Sequence, residues 1–323
     1  MTDTSPPPFV LYPGTAPLLV SMPHAGTYVP PALAARFTPE ARQVPDTDWH
    51  MERLYAFAKD MGASILVATH SRYVVDLNRP PDGASLYPGQ SVTGLCPVDT
   101  FDDTPIYAAG DVPQEAEIAA RRDAVWAPYH AQLRAELDRI RAQHGVAVLW
   151  DAHSIRSVLP RFFEGKLPDL NLGTANGESC NPALAQELLS IAQQATGYTA
   201  VLNGRFKGGH ITRHYGQPEQ GVHAIQLEMT QCSYMQEALP FDFLPEVAAR
   251  VQPHLQRMLT AALAFATSHP HSVDALFTAD GGSPMVWVLR HIRVNGRRRT
   301  LTSLLHGTMA NAMPQALGLQ KAF

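Results

Sequence analysis

Short apolar runs separated by amphipathic segments recur along the chain, and this pattern predicts its secondary structure. Apolar runs of four to eight residues bounded by turn residues are typical of buried strands. Predicted strands cover residues 17–23, 64–70, 73–78, 146–153, 198–204 and 223–231. The run VAVLWDAH at 146–153 ends on an acidic residue and a histidine two positions apart, which point to the same side of a strand. Burying such a pair costs free energy unless the two groups are paired or bind a metal.

Segments with helical periodicity lie between the predicted strands. The predicted helices cover residues 48–62, 113–145, 181–196 and 244–267. Asp48 is placed as the N-cap of the first helix and Gly62 as its stop, and Asn181 is placed as the N-cap of the third. We expect a break or kink at Pro128 in the second helix and a kink at Pro253 in the last.

Strands that alternate with helices predict an α/β fold, a three-layer α/β/α sandwich around a central mixed, mainly parallel sheet. The chain has 323 residues, enough for a large core. We expect residues 1–268 to form one domain and residues 269–323 to form a basic C-terminal extension of unknown role, dispensable for chemistry. The Arg cluster at 297–299 is more often a solvated surface than a nucleic-acid arm.

Composition and charge exclude several classes of protein. The net charge of −4 gives no support to binding of nucleic acid or an anionic membrane. Cys96, Cys180 and Cys232 are widely separated and odd in number, which argues against a disulfide framework and favours a reducing, cytoplasmic location. There is no signal-peptide pattern and no apolar window long enough to span a bilayer. No GxGxxG or Walker motif supports nucleotide chemistry.

Polar residues at the predicted strand ends are the candidate functional groups. They are His24 after the first strand, Asp46, Asp48 and His50 before a helix, Asp151 and His153 on the central strand, and Glu228 in the last strand. Because ligands of open α/β sheets gather at the carboxyl ends of strands, these segments can converge. Two histidines and a carboxylate that leave a fourth position open are the ligand set of a catalytic zinc. Two long polar loops, residues 78–90 and 204–221, are further candidates for function.

Each of these residues also has a purely structural explanation. His24 could be a turn residue and Asp48 an N-cap, while Asp151 or His153 could satisfy a hydrogen bond in the core. Glu228 could face solvent on an edge strand. Their joint placement at strand ends is what favours a metal site.

Six segments of the chain resemble the N-formylglutamate amidohydrolase (deformylase) family of bacterial histidine degradation. The segments are SMPHAGTYVP, PDTDWHMERLY, SRYVVDLNRPP, LWDAHSIRS, GGHITRHYG and AIQLEMTQ, and the resemblance covers roughly residues 7–267. The pattern is more remotely similar to zinc carboxypeptidases and to the aspartoacylase and succinylglutamate desuccinylase group. The resemblance implies a phosphorylase/hydrolase-like fold.

The resemblance also implies a cofactor and a substrate. The cofactor is one Zn²⁺ per chain, or another divalent metal such as Co²⁺, and the partner is a small dicarboxylate, N-formyl-L-glutamate, hydrolysed to L-glutamate and formate. His24, Asp48 and His153 are the implied metal ligands. Asp46 or His50 could replace Asp48, because the segment HAGTYVPP after the first histidine supplies no carboxylate.

The remaining implied roles concern proton transfer and substrate binding. Glu228 matches the general base, and Asp151 would orient a metal ligand or a neighbouring group. The pair Asn78-Arg79 resembles an anchor for a substrate carboxylate. Further candidates for binding the substrate or the oxyanion are Arg213, Arg72, His210, His214 and Tyr215.

Three other functions stay open on the sequence alone. The same machinery could act on another N-acyl amino acid, because the sequence does not reveal the size of the acyl pocket. A peptidase of the carboxypeptidase type would have a groove for peptides. A metal-binding module without catalysis is the third, and the presence of Glu228 argues against it.

Overall fold

The computed structural model describes residues 5–84, 93–108 and 110–268, together with the backbone of two later strands, Ala275–Asp280 and Arg298–Ser303. These two strands pair with each other in parallel. The rest of the predicted C-terminal extension lies outside the described residues. Within the described residues, no helix has the length and apolarity needed to cross a bilayer.

In the described part of the chain, seven strands form one mixed sheet. They are β1 (Phe9–Tyr12), β2 (Leu18–Met22), β3 (Ser64–Ala68), β4 (Ala147–Ile155), β5 (Leu170–Gly173), β6 (Ala200–Leu202) and β7 (Val222–Thr230). Their order across the sheet is β1-β3-β2-β4-β7-β5-β6. The central four strands run parallel, β1 and β5 are antiparallel to their neighbours β3 and β7, and β6 is parallel to β5. The predicted mixed, mainly parallel sheet is confirmed.

Helices of very different lengths connect the strands. They are α1 (Pro31–Ala34), α2 (Met51–Leu54), α3 (Phe57–Asp60), α4 (Glu115–Arg121), α5 (Ala127–His144), α6 (Pro182–Gln193), α7 (His210–Tyr215) and α8 (Pro245–Ser268). The predicted N-cap of α6 is present, because the Asn181 side chain accepts a hydrogen bond of 2.8 Å from the Ala183 N–H.

Both faces of the sheet are buried under helices. In β2, Leu18 and Val20 pack into one apolar cluster with residues of α6 and α8, whereas Leu19 packs into a second cluster with residues of α5. Every residue of β4 and of β7 is buried. Strands covered on both faces read as continuous apolar runs, and β4 begins with such a run, AVLW. The three-layer α/β/α arrangement is therefore confirmed.

The strand predicted at residues 73–78 is wrong. The segment forms turns and does not pair in the sheet. Val74, Val75 and Leu77 all pack into the same apolar cluster, so their side chains do not alternate between two faces as those of a strand would. Asp76 lies buried within this loop.

The helix predicted over residues 48–62 is two short helices, α2 and α3, and Asp48 does not cap either. His50 precedes α2 in a left-handed conformation with φ of 60°, and no side chain caps that helix. The Asp48 carboxylate instead accepts a hydrogen bond of 3.2 Å from the Ser154 N–H of β4 and lies 3.1 Å from His153 Nδ1. Gly62, the predicted stop, has φ of 75°.

The predicted break at Pro128 takes the form of a change in helix type. A π-helical segment, Arg122–Trp126, joins α4 to α5 without interruption. Proline has no N–H and its ring crowds the preceding turn, and a wide π turn accommodates both effects. Pro253 lies inside α8, which continues through it.

Candidate active site

The carboxyl ends of three parallel strands bring the predicted site residues together. Strands β4 and β7 pair with His153 opposite Glu228 and Asp151 opposite Gln226. His24 follows β2, which is the parallel neighbour of β4 on its other side. The turn after His24 requires glycine at residue 26, since a Cβ there would lie 2.3 Å from a backbone oxygen.

His24, Asp48 and His153 form a buried group whose candidate ligand atoms all lie within 4.8 Å of one another. Asp48 Oδ2 is 3.1 Å from His153 Nδ1 and 3.8 Å from His24 Nδ1. Among the described residues, His24 Nδ1 has no hydrogen-bond partner although it is buried. A nitrogen–oxygen–nitrogen donor set with an unpaired nitrogen fits a divalent cation such as zinc.

A carboxylate contacts the other nitrogen of each imidazole. Asp76 Oδ1 lies 2.7 Å from His24 Nε2, and Asp151 Oδ2 lies 3.1 Å from His153 Nε2. A proton on Nε2 of each ring would be held by these carboxylates and would leave Nδ1, which faces Asp48, as the ligand atom. Partners of this kind orient metal-binding histidines in proteins. Asp76 is not among the candidates that the sequence pattern offers, because its apolar segment, YVVDLN, is typical of a strand.

Cationic side chains stabilise the buried charge of Asp76. Arg72 Nη2 lies 2.7 Å from Asp76 Oδ2, Arg79 Nη2 lies 4.0 Å from it, and the Asn78 N–H donates to Oδ1 at 2.8 Å. Burial raises the pKa of Asp76, but the charges of His24, Arg79 and Arg72 outweigh burial and hold this pKa well below its usual range. Asp76 is therefore an ionised anchor for His24.

The two imidazoles have opposite pKa shifts. Burial, followed by the charge of Arg72, lowers the pKa of His24. Burial also lowers the pKa of His153, but Asp151 and Asp48 outweigh it and raise this pKa well above its usual value. A cluster of carboxylates around His153 is thus stabilised by positive charge, which a bound cation would also supply.

Glu228 lies buried next to these groups, and the side chain of Gln226 orients it. Gln226 Nε2 donates to Glu228 Oε2 at 3.2 Å. The Gly209 N–H donates to Gln226 Oε1 at 2.7 Å, so the amide must present its NH₂ group to the carboxylate. Burial raises the pKa of Glu228 to about 8, against the opposing charge of His153. A carboxylate with a pKa near neutrality is suited to proton transfer.

Asn78 connects the group to helix α7. Its Nδ2 lies 2.9 Å from His153 Nε2 and 3.4 Å from Asp151 Oδ2, and its Oδ1 accepts from the Ile211 N–H at 2.8 Å. Both ends of the amide therefore contact protein groups. Asn78 holds the end of β4 and the start of α7 in register.

The two alternatives to Asp48 make other contacts. Asp46 accepts hydrogen bonds from the Tyr73 hydroxyl at 2.5 Å and the Phe101 N–H at 2.8 Å. His50 Nε2 lies 2.7 Å from the Phe241 carbonyl oxygen. The geometry therefore favours Asp48 as the carboxylate of the group.

An open cleft containing about 610 Å³ of space, part of it open to solvent, leads to His24, His153 and Glu228. Its lining among the described residues includes both guanidinium groups and aromatic rings. They are Arg72, Arg79, Arg205, Phe101, Phe162 and Phe206. Arg205 and the phenylalanines were not among the sequence candidates, and the long polar loop at 204–221 was the signal that could have pointed to Arg205.

Four predicted substrate-binding residues do not line this cleft, namely Arg213, His210, His214 and Tyr215. Arg213 Nε donates to the Gly208 carbonyl oxygen at 2.9 Å, and the Tyr215 hydroxyl donates to the His130 carbonyl oxygen at 3.1 Å. The rings of His210 and His214 stack with their centres 5.0 Å apart. Their role in binding substrate stays a prediction.

An α/β/α protein with a buried His-Asp-His group and an adjacent glutamate at the mouth of a cleft has the construction of a hydrolytic enzyme. Residues 16–235 match the model of the N-formylglutamate amidohydrolase family. The chain is 52% identical over 252 residues to N-formylglutamate deformylase of Pseudomonas putida, covering 78% of this chain and 94% of the relative. It is 53% identical over the same length, with the same coverage, to N-formylglutamate deformylase of Pseudomonas aeruginosa. The chain belongs to the N-formylglutamate amidohydrolase family.

Solved structures show the same fold. The N-formylglutamate amidohydrolase of Ralstonia eutropha JMP134 superposes with a TM-score of 0.70 at 25% identity, covering 81% of this chain and 98% of that one. A gene product of Agrobacterium tumefaciens superposes with a TM-score of 0.61 at 17% identity, covering 80% and 96% of the two chains, which supports the fold alone. Separately, residues 280–323 match the model of the thiamine pyrophosphate enzyme C-terminal TPP-binding domain.

Proposed function

We propose that this protein is a zinc-dependent N-formylglutamate deformylase, which hydrolyses N-formyl-L-glutamate to L-glutamate and formate in the last step of a histidine degradation pathway. The observation that carries the proposal is the His24–Asp48–His153 group beside Glu228 at the end of an arginine-containing cleft. The name of the Pseudomonas putida relative states this activity for that protein, and the high identity supports extending it to this chain.

His24, Asp48 and His153 would hold the metal, which could also be another divalent ion such as Co²⁺. The fit rests on the buried, unpaired Nδ1 of His24 and on the neighbouring Nδ1 and carboxylate oxygen. A zinc ion held there would polarise the formyl carbonyl group and lower the pKa of a water molecule. Asp76 and Asp151 would keep the two imidazoles in the required orientation.

Glu228 would move the proton. Its carboxylate would accept a proton from the attacking water and deliver it to the amine nitrogen as the C–N bond breaks. A cation close to the site would lower the pKa of Glu228 from about 8, because positive charge favours the carboxylate form. Gln226 would hold the carboxylate in one orientation throughout.

Arg79 would bind a substrate carboxylate. Its Nε donates to the Thr93 carbonyl oxygen at 3.0 Å and its Nη2 donates to the Thr93 hydroxyl at 3.0 Å, which keeps the guanidinium in the wall of the cleft. Planar guanidinium groups pair with carboxylates through two parallel hydrogen bonds. Arg72 is bonded to Asp76 and remains the reserve candidate, as predicted from the sequence.

We also propose a cytoplasmic location and a small dicarboxylate as the partner, with no nucleic acid or membrane involved. The net charge of −4 and the three unpaired cysteines support this proposal. Residues 1–268 would form the catalytic domain, since the site residues all precede residue 269.

The test is formate release from N-formyl-L-glutamate, with N-acetyl-L-glutamate, N-acetyl-L-aspartate and a peptide assayed in parallel. Each substrate is assayed with protein as purified, after chelation and dialysis, and after zinc is restored. We expect release from the formyl substrate, its loss on chelation and its recovery with zinc.

The other outcomes discriminate between functions. Turnover of an acetyl substrate or of the peptide, without turnover of the formyl substrate, would replace the deformylase assignment by another deacylase or a peptidase. Undiminished formate release by protein shown to be metal-free would remove the metal from the proposal. Metal binding without turnover of any substrate would favour a metal-binding module.

A further inference from the structure

The guanidinium groups of the cleft differ in their surroundings. Arg72 is 6% exposed and lies 2.7 Å from Asp76, so its charge is largely used in stabilising this carboxylate. Arg79 Nη2 lies 4.0 Å from the same carboxylate, whose other oxygen contacts His24. Arg79 therefore stands on the side of the cleft where the metal ligands lie.

Arg205 stands on the aromatic side of the cleft. Its Nε donates to the Phe162 carbonyl oxygen at 2.6 Å, and its guanidinium carbon lies 5.2 Å from the centre of the Phe206 ring. The Phe162 ring in turn meets the Phe101 ring edge to face, with the ring centres 5.0 Å apart. An apolar wall with a cation attached to it is the environment that a short aliphatic chain ending in a carboxylate requires.

The loop that carries Arg205 is held firmly at its far end. A Cβ added at Gly209 would lie 2.4 Å from Asn78 Nδ2, and a Cβ added at Gly173 would lie 2.6 Å from the Gly208 nitrogen. Gly208 has φ of 112°, a conformation that L side chains rarely adopt. This close packing ties the loop to Asn78, which contacts His153, and so presets the position of Arg205 relative to the reacting groups.

The chemistry of N-formyl-L-glutamate matches this arrangement. Its α-carboxylate is attached to the carbon that bears the formamide nitrogen, whereas its second carboxylate lies two methylene groups further away. A substrate with its formamide at Glu228 and His153 would present the α-carboxylate to Arg79. Its side chain would then run along the phenylalanine wall.

We propose that Arg205 binds the side-chain carboxylate of the substrate, while Phe162 and Phe206 pack against its two methylene groups. Arg205 is then the residue that selects glutamate over amino acids with a neutral side chain. This inference rests on the proposed function, because it assumes a glutamate-derived substrate.

The experiment compares N-formyl-L-glutamate with N-formyl-L-glutamine, which has nearly the same shape but lacks the second charge. For Arg205→Met, we expect kcat/KM for the glutamate compound to fall about 10- to 100-fold through KM, the loss expected for a hydrogen bond to a charged group. For the glutamine compound, kcat/KM should change by less than about 3-fold. Arg205→Lys should recover part of the loss. Arg79→Met should lower kcat/KM for both compounds, because both contain the α-carboxylate.

Arg257→Met is the matched control, since Arg257 is exposed on α8 and does not line the cleft. Equal losses on the two compounds in Arg205→Met, or no loss, would overturn the proposal. A loss of kcat/KM in Arg79→Met that is confined to the glutamate compound, with no loss in Arg205→Met, would also overturn the proposal. It would assign the side-chain carboxylate to Arg79 instead of Arg205.

Calorimetric binding of the same two compounds separates this inference from the proposed function. A wild-type protein that binds the glutamate compound more tightly but releases no formate would reject the deformylase assignment, while the binding ratio in Arg205→Met would still decide the role of Arg205. A wild-type protein that binds neither compound would overturn both proposals.

Discussion

At the scale of single residues, each group proposed to act in the site has a partner that fixes its orientation. Asp76 holds His24, Asp151 holds His153, and Gln226 holds Glu228. The buried setting makes these partners necessary, since an unpaired polar group away from water costs free energy. A side chain without such a partner would also not keep the orientation that the reaction requires. The arrangement thus explains how several charged side chains can be buried together.

The role of Glu228 leads to the most direct prediction at this scale. Glu228→Gln keeps the shape of the side chain but removes the proton acceptor. We expect zinc content to stay unchanged and kcat for formate release to fall about 10²- to 10⁴-fold, the usual contribution of general acid–base catalysis. Metal analysis and steady-state kinetics on the same preparation measure both.

Glu164→Gln serves as the control, because Glu164 is exposed and does not line the cleft. A Glu228→Gln variant with unaltered kcat would exclude Glu228 as the base. A variant that loses its zinc would show instead that Glu228 supports the metal.

At the scale of secondary-structure elements, local sequence signals predicted the long, regular elements well. Strands β4 and β7 were predicted within two residues of their ends because apolar residues fill more than half of the nine positions in each. The short elements β1, β5 and α7 were missed, since four to six residues give too little periodicity. The strand predicted at 73–78 is wrong for a related reason. The segment is a short apolar run, and its burial is due to tertiary packing of a loop and not to a position in the sheet.

The cap of α6 provides a test at this scale. Asn181→Ala removes the side-chain acceptor for the Ala183 N–H, so we expect a loss of about 1 kcal/mol in the free energy of unfolding. Urea unfolding followed by circular dichroism measures the change.

Gln186→Ala is the control, since Gln186 is an exposed residue within the same helix and alanine favours helix formation. Equal stability of Asn181→Ala and the wild type would mean that the cap contributes nothing to folding.

At the scale of the whole molecule, the sheet separates two apolar clusters and places the cleft at the carboxyl ends of its central strands. The seven-stranded sheet, both of these clusters and the described lining of the cleft lie between residues 9 and 268. The family match also ends before residue 268, while residues 280–323 match a different family model. We therefore propose that the catalytic unit does not need the C-terminal extension.

A chain ending at Ser268 tests this conclusion. We expect it to fold and to release formate with kcat/KM within about 2-fold of the full chain, because the site and its supporting core stay intact. Thermal unfolding and steady-state kinetics of the two proteins provide the comparison. A shortened chain that unfolds at the same temperature but has no activity would show that the extension contributes to the reaction.

The sequence by itself determined the fold class and most of the central site. Continuous apolar runs required strands buried on both faces, and polar residues at their ends could converge only at one edge of the sheet. His24, His153 and Glu228 could be named in advance because His153 and Glu228 lie within strands whose positions the pattern defines, and His24 closely follows another.

The tertiary structure alone decided the groups that depend on distant loops. Asp48 is distinguished from Asp46 and His50 by how a loop packs against β4, which local periodicity does not encode. Asp76, Gln226 and Arg205 were recognised only from their contacts. The physical reason is that hydrogen bonds and ion pairs between residues far apart in the chain depend on distances, and a sequence pattern defines distances only within an element.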